Sequence, residues 1–323
     1  MEIISLIGYN GWTMAAAIIV GFVLLIYGAD WLVSGSSALA SRFGVSSLVI
    51  GLTVVAFGTS MPEFIVSTIA AVENNTEIAI TNILGSNSIN TLIILGFTAL
   101  IYPISSVKSC RKFDIPLSLA AGVLVLVLVW LGGGAIQRWG GIVLLALFIW
   151  FMARNLSIAK QKSSDEIEEK HTFPVWKMLL LILIGLAGLV LGGELVVRGA
   201  TFAAQAIGVS DAVIGLTVVA LGTSLPELAT SCMAAAKKNC DLALGNVIGS
   251  NIFNVFFILG TGAVIHPLPS YDGMWLDAVM VIVGSLMVMM YVYLTKNHEI
   301  KRWHGALMIL VYAVYLTYRL MNC

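Results

Sequence analysis

The apolar positions of this chain gather into ten stretches, near residues 13–34, 46–72, 78–101, 115–133, 139–156, 175–197, 210–236, 242–265, 275–295 and 303–320. Each meets the need of a membrane-crossing helix for about 20 mainly apolar residues, and the longer ones predict tilt. The single substantial polar interval, Ser157 to Thr172, contains Asp165-Glu166-Ile167-Glu168-Glu169-Lys170 and reads as a solvated linker between two groups of five helices. The pattern predicts an all-α integral membrane protein with ten transmembrane helices: a first five-helix unit at 1–156, a cytoplasmic linker at 157–174 and a second unit at 175–323.

Laid on residues 208–260 without a gap, residues 44–96 agree at 29 of 53 positions, which marks a duplication. The same offset of 164 pairs Asp30 with Glu194 in the first helix of each half. Five is odd, so the second copy must enter the membrane upside down. Inverted repeats of this kind are typical of secondary transporters, whose ion sites lie near the midplane at the repeat interface. The basic residues set the orientation. Fourteen of the seventeen fall in one set of alternate loops: Arg42, Lys108, Arg111, Lys112, Arg154, Lys160, Lys162, Lys170, Lys177, Lys237, Lys238, Lys296, Lys301 and Arg302. The other set holds only Arg138, Arg198 and Arg319. The fourteen are expected on the cytoplasmic side of a plasma (inner) membrane, with both termini outside.

Composition narrows the class further. Only 11% of residues are charged, against about a quarter in soluble domains, and zero net charge excludes a basic nucleic-acid footprint. Cys110, Cys232, Cys240 and Cys323 have neither zinc-ligand spacing nor the density of a disulfide framework, so free thiols are expected. No basic region precedes the first apolar run, which predicts that the first helix is retained. Trp31, Tyr102, Trp130, Trp139 and Trp303, near span ends, read as interfacial anchors.

Two of the ten stretches carry a proline and an acid in their apolar run: Gly58-Thr59-Ser60-Met61-Pro62-Glu63 and, 164 residues on, Gly222-Thr223-Ser224-Leu225-Pro226-Glu227. An ionisable residue at the bilayer centre costs roughly 2.5–3.5 kcal/mol on the insertion scale and is retained for function. Neither span offers a Lys or Arg to pair with its glutamate. Proline removes a backbone donor and disturbs the bonds around it, which predicts freed carbonyls near Ala56 and Ala220. With Thr59, Ser60 and Glu63, and with Thr223, Ser224 and Glu227, these form oxygen clusters on one helical face.

The following span of each half adds a polar stripe at steps of four: Asn82, Ser86 and Asn90, matched by Asn246, Ser250 and Asn254. Hard cations such as calcium take six to eight oxygens of this kind. Two glutamates balance one divalent cation or two monovalent ones, so competition between ion types is natural. Asn and Ser in membrane helices also serve as interhelical glue, which is the reading for Asn87 and Asn251, off the stripe. Asp30 and Glu194 fit interfacial placement as well as gating, and Glu194 has Arg198 one turn away.

These residues carry a family resemblance. Gly51-Leu52-Thr53-Val54-Val55-Ala56-Phe57-Gly58-Thr59-Ser60-Met61-Pro62-Glu63 and Gly215 to Glu227, each followed by Gly-Ser-Asn, resemble the two alpha repeats of sodium/calcium exchangers. The resemblance implies a compact prokaryotic Ca2+:cation antiporter. Its ion ligands would fall on Thr59, Ser60, Glu63, Ser86 and Asn90, on Thr223, Ser224, Glu227, Ser250 and Asn254, and on backbone oxygens of Ala56 and Ala220. It implies transported Ca2+ and Na+, no permanently bound cofactor, and a single chain that suffices for a site. Gly-Thr-Ser-x-Pro-Glu is more similar to the sodium-coupled branch than to the proton-coupled one. One departure is Asn254, where family members have an aspartate; it leaves the sodium count, a K+ requirement and the preferred ion open.

Three other functions are weighed. A proton-coupled antiporter needs the same site. A cation channel also wants midplane oxygens, yet channels surround an axis with subunits, whereas this chain carries its own repeat. An intramembrane Ser-His hydrolase fails because His171, His266, His298 and His304 all fall at loops or span ends. In the antiporter reading the glycine-rich first and sixth helices, with Gly21, Gly28, Gly185, Gly188, Gly192 and Gly193, slide across a fixed core as the gate.

Overall fold

The computed structural model describes residues 11–161, 173–209, 218 and 220–321. Eight helices in it are long and apolar enough to cross a membrane, and a ninth crossing is a bent pair. They are α1 (Gly11–Arg42), the pair α2 (Ser47–Thr59) and α3 (Met61–Val72), α4 (Thr76–Ile101), α5 (Cys110–Leu131), α6 (Arg138–Gln161), α7 (Val175–Ala206), α10 (Cys240–Ile265), α11 (Met274–Leu294) and α12 (Arg302–Met321). Two shorter pieces, α8 (Ala220–Thr223) and α9 (Leu225–Ala236), precede α10. The N-terminal part of the predicted seventh span (210–236), most of the linker and Cys323 lie outside the described residues. Cys110, Cys232 and Cys240 are free thiols, as expected.

The stretch 46–72 is not one straight helix. It bends by 50° between α2 and α3 at Ser60, which leaves helical geometry at φ −83°, ψ 9°. Pro62 explains the break, because in the first turn of α3 its missing N–H costs nothing. Ser224 and Pro226 stand in the same relation between α8 and α9, with Ser224 at φ −91°, ψ 6°. Wider π-helical turns occupy Gly51–Val55, Ile89–Ile94 and Asn254–Leu259. Such turns insert a residue into the ladder and concentrate at functional sites. No hydrophobic pattern announces them.

Helices α4 and α10 run through the centre, α10 nearly buried throughout. Glycines let α2 lie against α10: a Cβ on Gly245 would stand 2.7 Å from Leu48 O, and one on Gly249 2.7 Å from Leu52 Cα. Close backbone approach of this kind substitutes for a hydrophobic drive between helices in lipid. Helices α1 and α7, 32 residues each, lie along one another on the outside. A Cβ on Gly21 would stand 2.8 Å from Gly192 O, on Gly28 2.9 Å from Gly185 O, and on Gly35 2.9 Å from Met178 O; one on Gly199 would stand 3.0 Å from Met14 O. The contacts advance by seven along α1 as they retreat by seven along α7, so the two helices interlock as one body.

Two antiparallel pairs of two-residue strands staple the ends. β1 (Ile104–Ser105) pairs with β4 (Glu299–Ile300) in the register Ile104↔Ile300, and β2 (Ala135–Ile136) with β3 (Leu268–Pro269) in the register Ile136↔Leu268. Each joins a loop in the N-terminal half of the chain to a loop in the C-terminal half, an addition to the predicted all-helical pattern.

Candidate functional site

The break at Ser60 brings the end of α2 and the start of α3 against α10 and α9, in the middle of the helical body. Glu63 and Glu227 are both fully buried. Their environments mirror one another. Ser60 Oγ donates to Glu227 Oε1 at 2.9 Å, and Ser224 Oγ donates to Glu63 Oε1 at 3.3 Å. Each carboxylate is thus served by the serine of the other half. Thr223 stands beside Glu63 as well, and Thr59 and Ser250 beside Glu227.

The asparagines at the head of each stripe hold the acidic turns in place. Asn82 Nδ2 donates to Ser67 Oγ at 2.9 Å and to Glu63 O at 3.4 Å; Asn246 Nδ2 donates to Ser231 Oγ at 2.9 Å and to Glu227 O at 3.4 Å. Asn87 and Asn251 are glue. Asn87 Nδ2 donates to Asn251 O at 3.2 Å, and Asn251 Nδ2 to Thr91 Oγ1 at 2.7 Å.

What remains is a set of buried oxygens with nothing bonded to them. Glu63 Oε2, Glu227 Oε2, Thr223 Oγ1, Ser250 Oγ, Asn90 Oδ1 and Asn254 Oδ1 all lack a hydrogen-bond partner. Orphaned hydroxyls occur elsewhere, at Ser36, Thr68 and Ser118 for example, but among the described residues only here do two carboxylates join them. A buried polar group without a partner forfeits about 1–3 kcal/mol, and more when charged. None of the ion pairs among the described residues involves either glutamate, so a mobile cation is the natural complement. No group of three or more His, Cys, Asp and Glu gathers among the described residues. The donor set is hard oxygen, suited to calcium or sodium rather than zinc or copper.

The remaining predicted residues place as follows. Ser86 and Asn90 are buried on α4, Ser250 and Asn254 on α10. The two asparagines differ: Asn254 Nδ2 is committed to Asn87 Oδ1 at 3.0 Å, whereas both polar side-chain atoms of Asn90 are unbonded. Ala56 O accepts the Ser60 N–H at 3.1 Å and has Thr59 Oγ1 3.4 Å away, so it is not the freed carbonyl expected near Pro62. Ala220 opens α8. Thr59 Oγ1 lies 3.1 Å from both Val55 O and Asn246 Oδ1. Its counterpart Thr223 is unbonded and only half-buried, on the wall of a cavity of about 870 Å3.

That cavity reaches from Asn74, Glu77, Ser270 and Arg319 inward to Asn82, Gly85 and Thr223. Its wall includes a residue that sequence reasoning passed over, Asp277, which accepts bonds from Tyr271, Tyr315 and Arg319. Asp114, likewise unremarked, faces Arg154 at 3.4 Å. The only signal in the sequence was an acid opening an apolar helix. Glu194 is bonded to Arg198 at 2.6 Å, as its spacing suggested, while Asp30 is paired 2.6 Å from Lys237, far away in sequence.

Comparison with known proteins bears on the fold and the family. A family model described as "Sodium/calcium exchanger protein" matches residues 13–156 and 177–321. The chain is 31% identical over 337 residues to the sodium/calcium exchanger MaX1 of Methanosarcina acetivorans, covering 93% of this chain and 96% of that protein. It is 37% identical over 266 residues to the inner membrane protein YrbG of Escherichia coli, covering 78% and 80%. Among solved structures, the sodium-calcium exchanger NCX_Mj soaked with Na+ and Sr2+ superposes with a TM-score of 0.81 at 36% identity, covering 94% of this chain and 97% of that one. The chain therefore belongs to the sodium/calcium exchanger family, as a member of its compact prokaryotic type.

Proposed function

We propose that this protein is a secondary active antiporter that exchanges Ca2+ for Na+ by alternating access. The carrying observation is the pair of fully buried glutamates whose inner oxygens are bonded crosswise by serines and whose outer oxygens are free. Calcium takes Glu63 Oε2 and Glu227 Oε2 and completes its six to eight oxygens from among those of Thr59, Ser60, Ser86, Asn90, Thr223, Ser224, Ser250 and Asn254 and the carbonyls of Ala56 and Ala220, the rest serving sodium. Two sodium ions neutralise the same charge, so one cargo displaces the other. Membership of the family and the likeness to NCX_Mj support this reading.

The architecture that goes with it is ten transmembrane helices in two inverted five-helix units, 1–156 and 175–323, joined by a cytoplasmic linker at 157–174. The 164-residue offset supports it, since it relates Ser60–Glu227 to Ser224–Glu63 and Asn82–Ser67 to Asn246–Ser231. The distribution of basic residues argues for the inner membrane with both termini outside. The interlocked α1 and α7 form the sliding gate.

The test is calcium uptake into inside-out vesicles under an imposed sodium gradient. Sodium-driven uptake that disappears in Glu63→Gln is expected. Full activity in that variant, or no dependence on sodium, refutes the reading. A second reading, coupling to protons or K+, is favoured by Asn254, whose amide removes a carboxylate from the site. In that case a pH or potassium gradient replaces the sodium gradient as the driving force.

A further inference from the structure

The interlocked pair α1 and α7 is fastened to the rest of the protein at one end of α1. Lys237, which terminates α9, places Nζ 2.6 Å from Asp30 Oδ1, 2.8 Å from Ser34 Oγ and 3.3 Å from Asp30 O. Three acceptors thus meet the three ammonium protons. Two residues on, Asn239 Nδ2 donates to Ser37 Oγ at 3.1 Å. Together these bonds clasp α1 to the corner between α9 and α10.

Among the described residues the other face shows no such clasp. At the offset of 164, Lys237 corresponds to Glu73 and Asp30 to Glu194. Two acids cannot make the bond that a lysine and an acid make. Glu194 is bonded within its own helix to Arg198, and Glu73 is exposed and makes no ion pair among the described residues. The Glu73 face is also where the cavity enters, passing Asn74 and Glu77 to reach Asn82 and Thr223. On the Lys237 face the equivalent pair, Asn246 and Thr59, is bonded together and fully buried.

We propose that Lys237 is a positioning residue for transport: through Asp30 and Ser34 it latches α1 shut over its own face, biasing the protein toward the state open at the Glu73 face. Lys237 touches no ion and acts through α1. The proposal deepens the antiport reading and rests on its alternating-access part. Opening the Lys237 face moves α1 away from α9 and breaks the latch, and the described residues show no equivalent bond on the other side. The side chains of Lys237 and Asp30 are 35% and 43% exposed, so solvent screens the pair. The expected bias is about two- to five-fold in the ratio of the two states.

Hydrogen–deuterium exchange of the full chain in nanodiscs, without calcium or sodium, provides the test. Wild type, Lys237→Ala and the charge-swapped double variant Asp30→Lys with Lys237→Asp are compared. Lys237→Ala should raise exchange over residues 43–47 and 237–241 and lower it over 73–77, and the swap should restore the wild-type pattern. In vesicles the half-saturating calcium concentration should fall on the Lys237 face and rise on the Glu73 face, the two changes multiplying to about two- to five-fold. Exchange identical to wild type, exchange raised on both faces alike, or no rescue by the swap overturns the latch. If exchange shifts as expected but wild-type protein carries no sodium-driven calcium flux, the latch stands and the antiport reading falls.

Discussion

Alanine at Gly192 should force α1 and α7 apart, whereas alanine one residue later, at Gly193, should not. A Cβ on residue 192 would stand 2.7 Å from Gly21 O, 2.9 Å from Leu25 N and 3.0 Å from Leu24 Cβ. The first is 0.7 Å inside the 3.4 Å at which ordinary contact begins (3.4 − 2.7), and two of the three atoms are backbone that cannot rotate aside. On residue 193 the nearest atoms are Gly222 O at 3.7 Å and Leu225 Cβ at 3.9 Å, already in ordinary contact. Overpacking of this kind costs about 1–3 kcal/mol. Both variants gain about 1 kcal/mol from replacing glycine inside a helix, so that gain cancels between them. Gly192→Ala should therefore be less stable than Gly193→Ala by about 1–3 kcal/mol, read as a lower thermal midpoint of the purified proteins in one detergent. Exchange activity should fall with it, because the altered pair is the proposed gate. Equal midpoints, or a more stable Gly192→Ala, would refute the interlock.

Three further outcomes test the site. Glu227→Gln should keep the fold, since the amide oxygen can still accept the Ser60 bond, yet lose about ten- to a hundred-fold in calcium affinity by calorimetry. Asn254→Asp removes the donor to Asn87 Oδ1 and sets an acceptor against an acceptor. Its thermal midpoint should drop in ion-free buffer and recover when calcium neutralises the third carboxylate. Thr59→Val and Thr223→Val should both weaken calcium binding, but only Thr59→Val should also cost about 1 kcal/mol of stability, because only Thr59 is bonded across to Asn246.

Much of the site was legible in one dimension because the chain repeats itself. Glu63, Pro62, Ser60 and the Ser86–Asn90 stripe stand out once residues 222–254 show the same arrangement, and the hydrophobic runs locate their helices. Features that depend on which helix lies against which were not legible. The 50° break at Ser60 is hidden inside an apolar run long enough for a continuous span. The π-helical turns at Asn90 and Asn254 leave no trace in hydrophobic spacing. The pairing of Asp30 with Lys237, the bonds from Tyr315 and Arg319 to Asp277 and the cavity beside them bring together residues more than 30 positions apart, so no local pattern encodes them. Ala56 shows the limit of a local argument: the proline argument led to a freed carbonyl, and the chain supplied the Ser60 N–H instead.

The crosswise bonds from Ser60 to Glu227 and from Ser224 to Glu63 carry a genetic consequence. A lesion at either serine is felt first by the carboxylate of the opposite unit, 167 or 161 residues away in sequence. Second-site suppressors of a Ser60 defect should therefore map around Glu227 rather than around Glu63, and those of a Ser224 defect around Glu63. Neither half of the gene can be repaired by looking at that half alone.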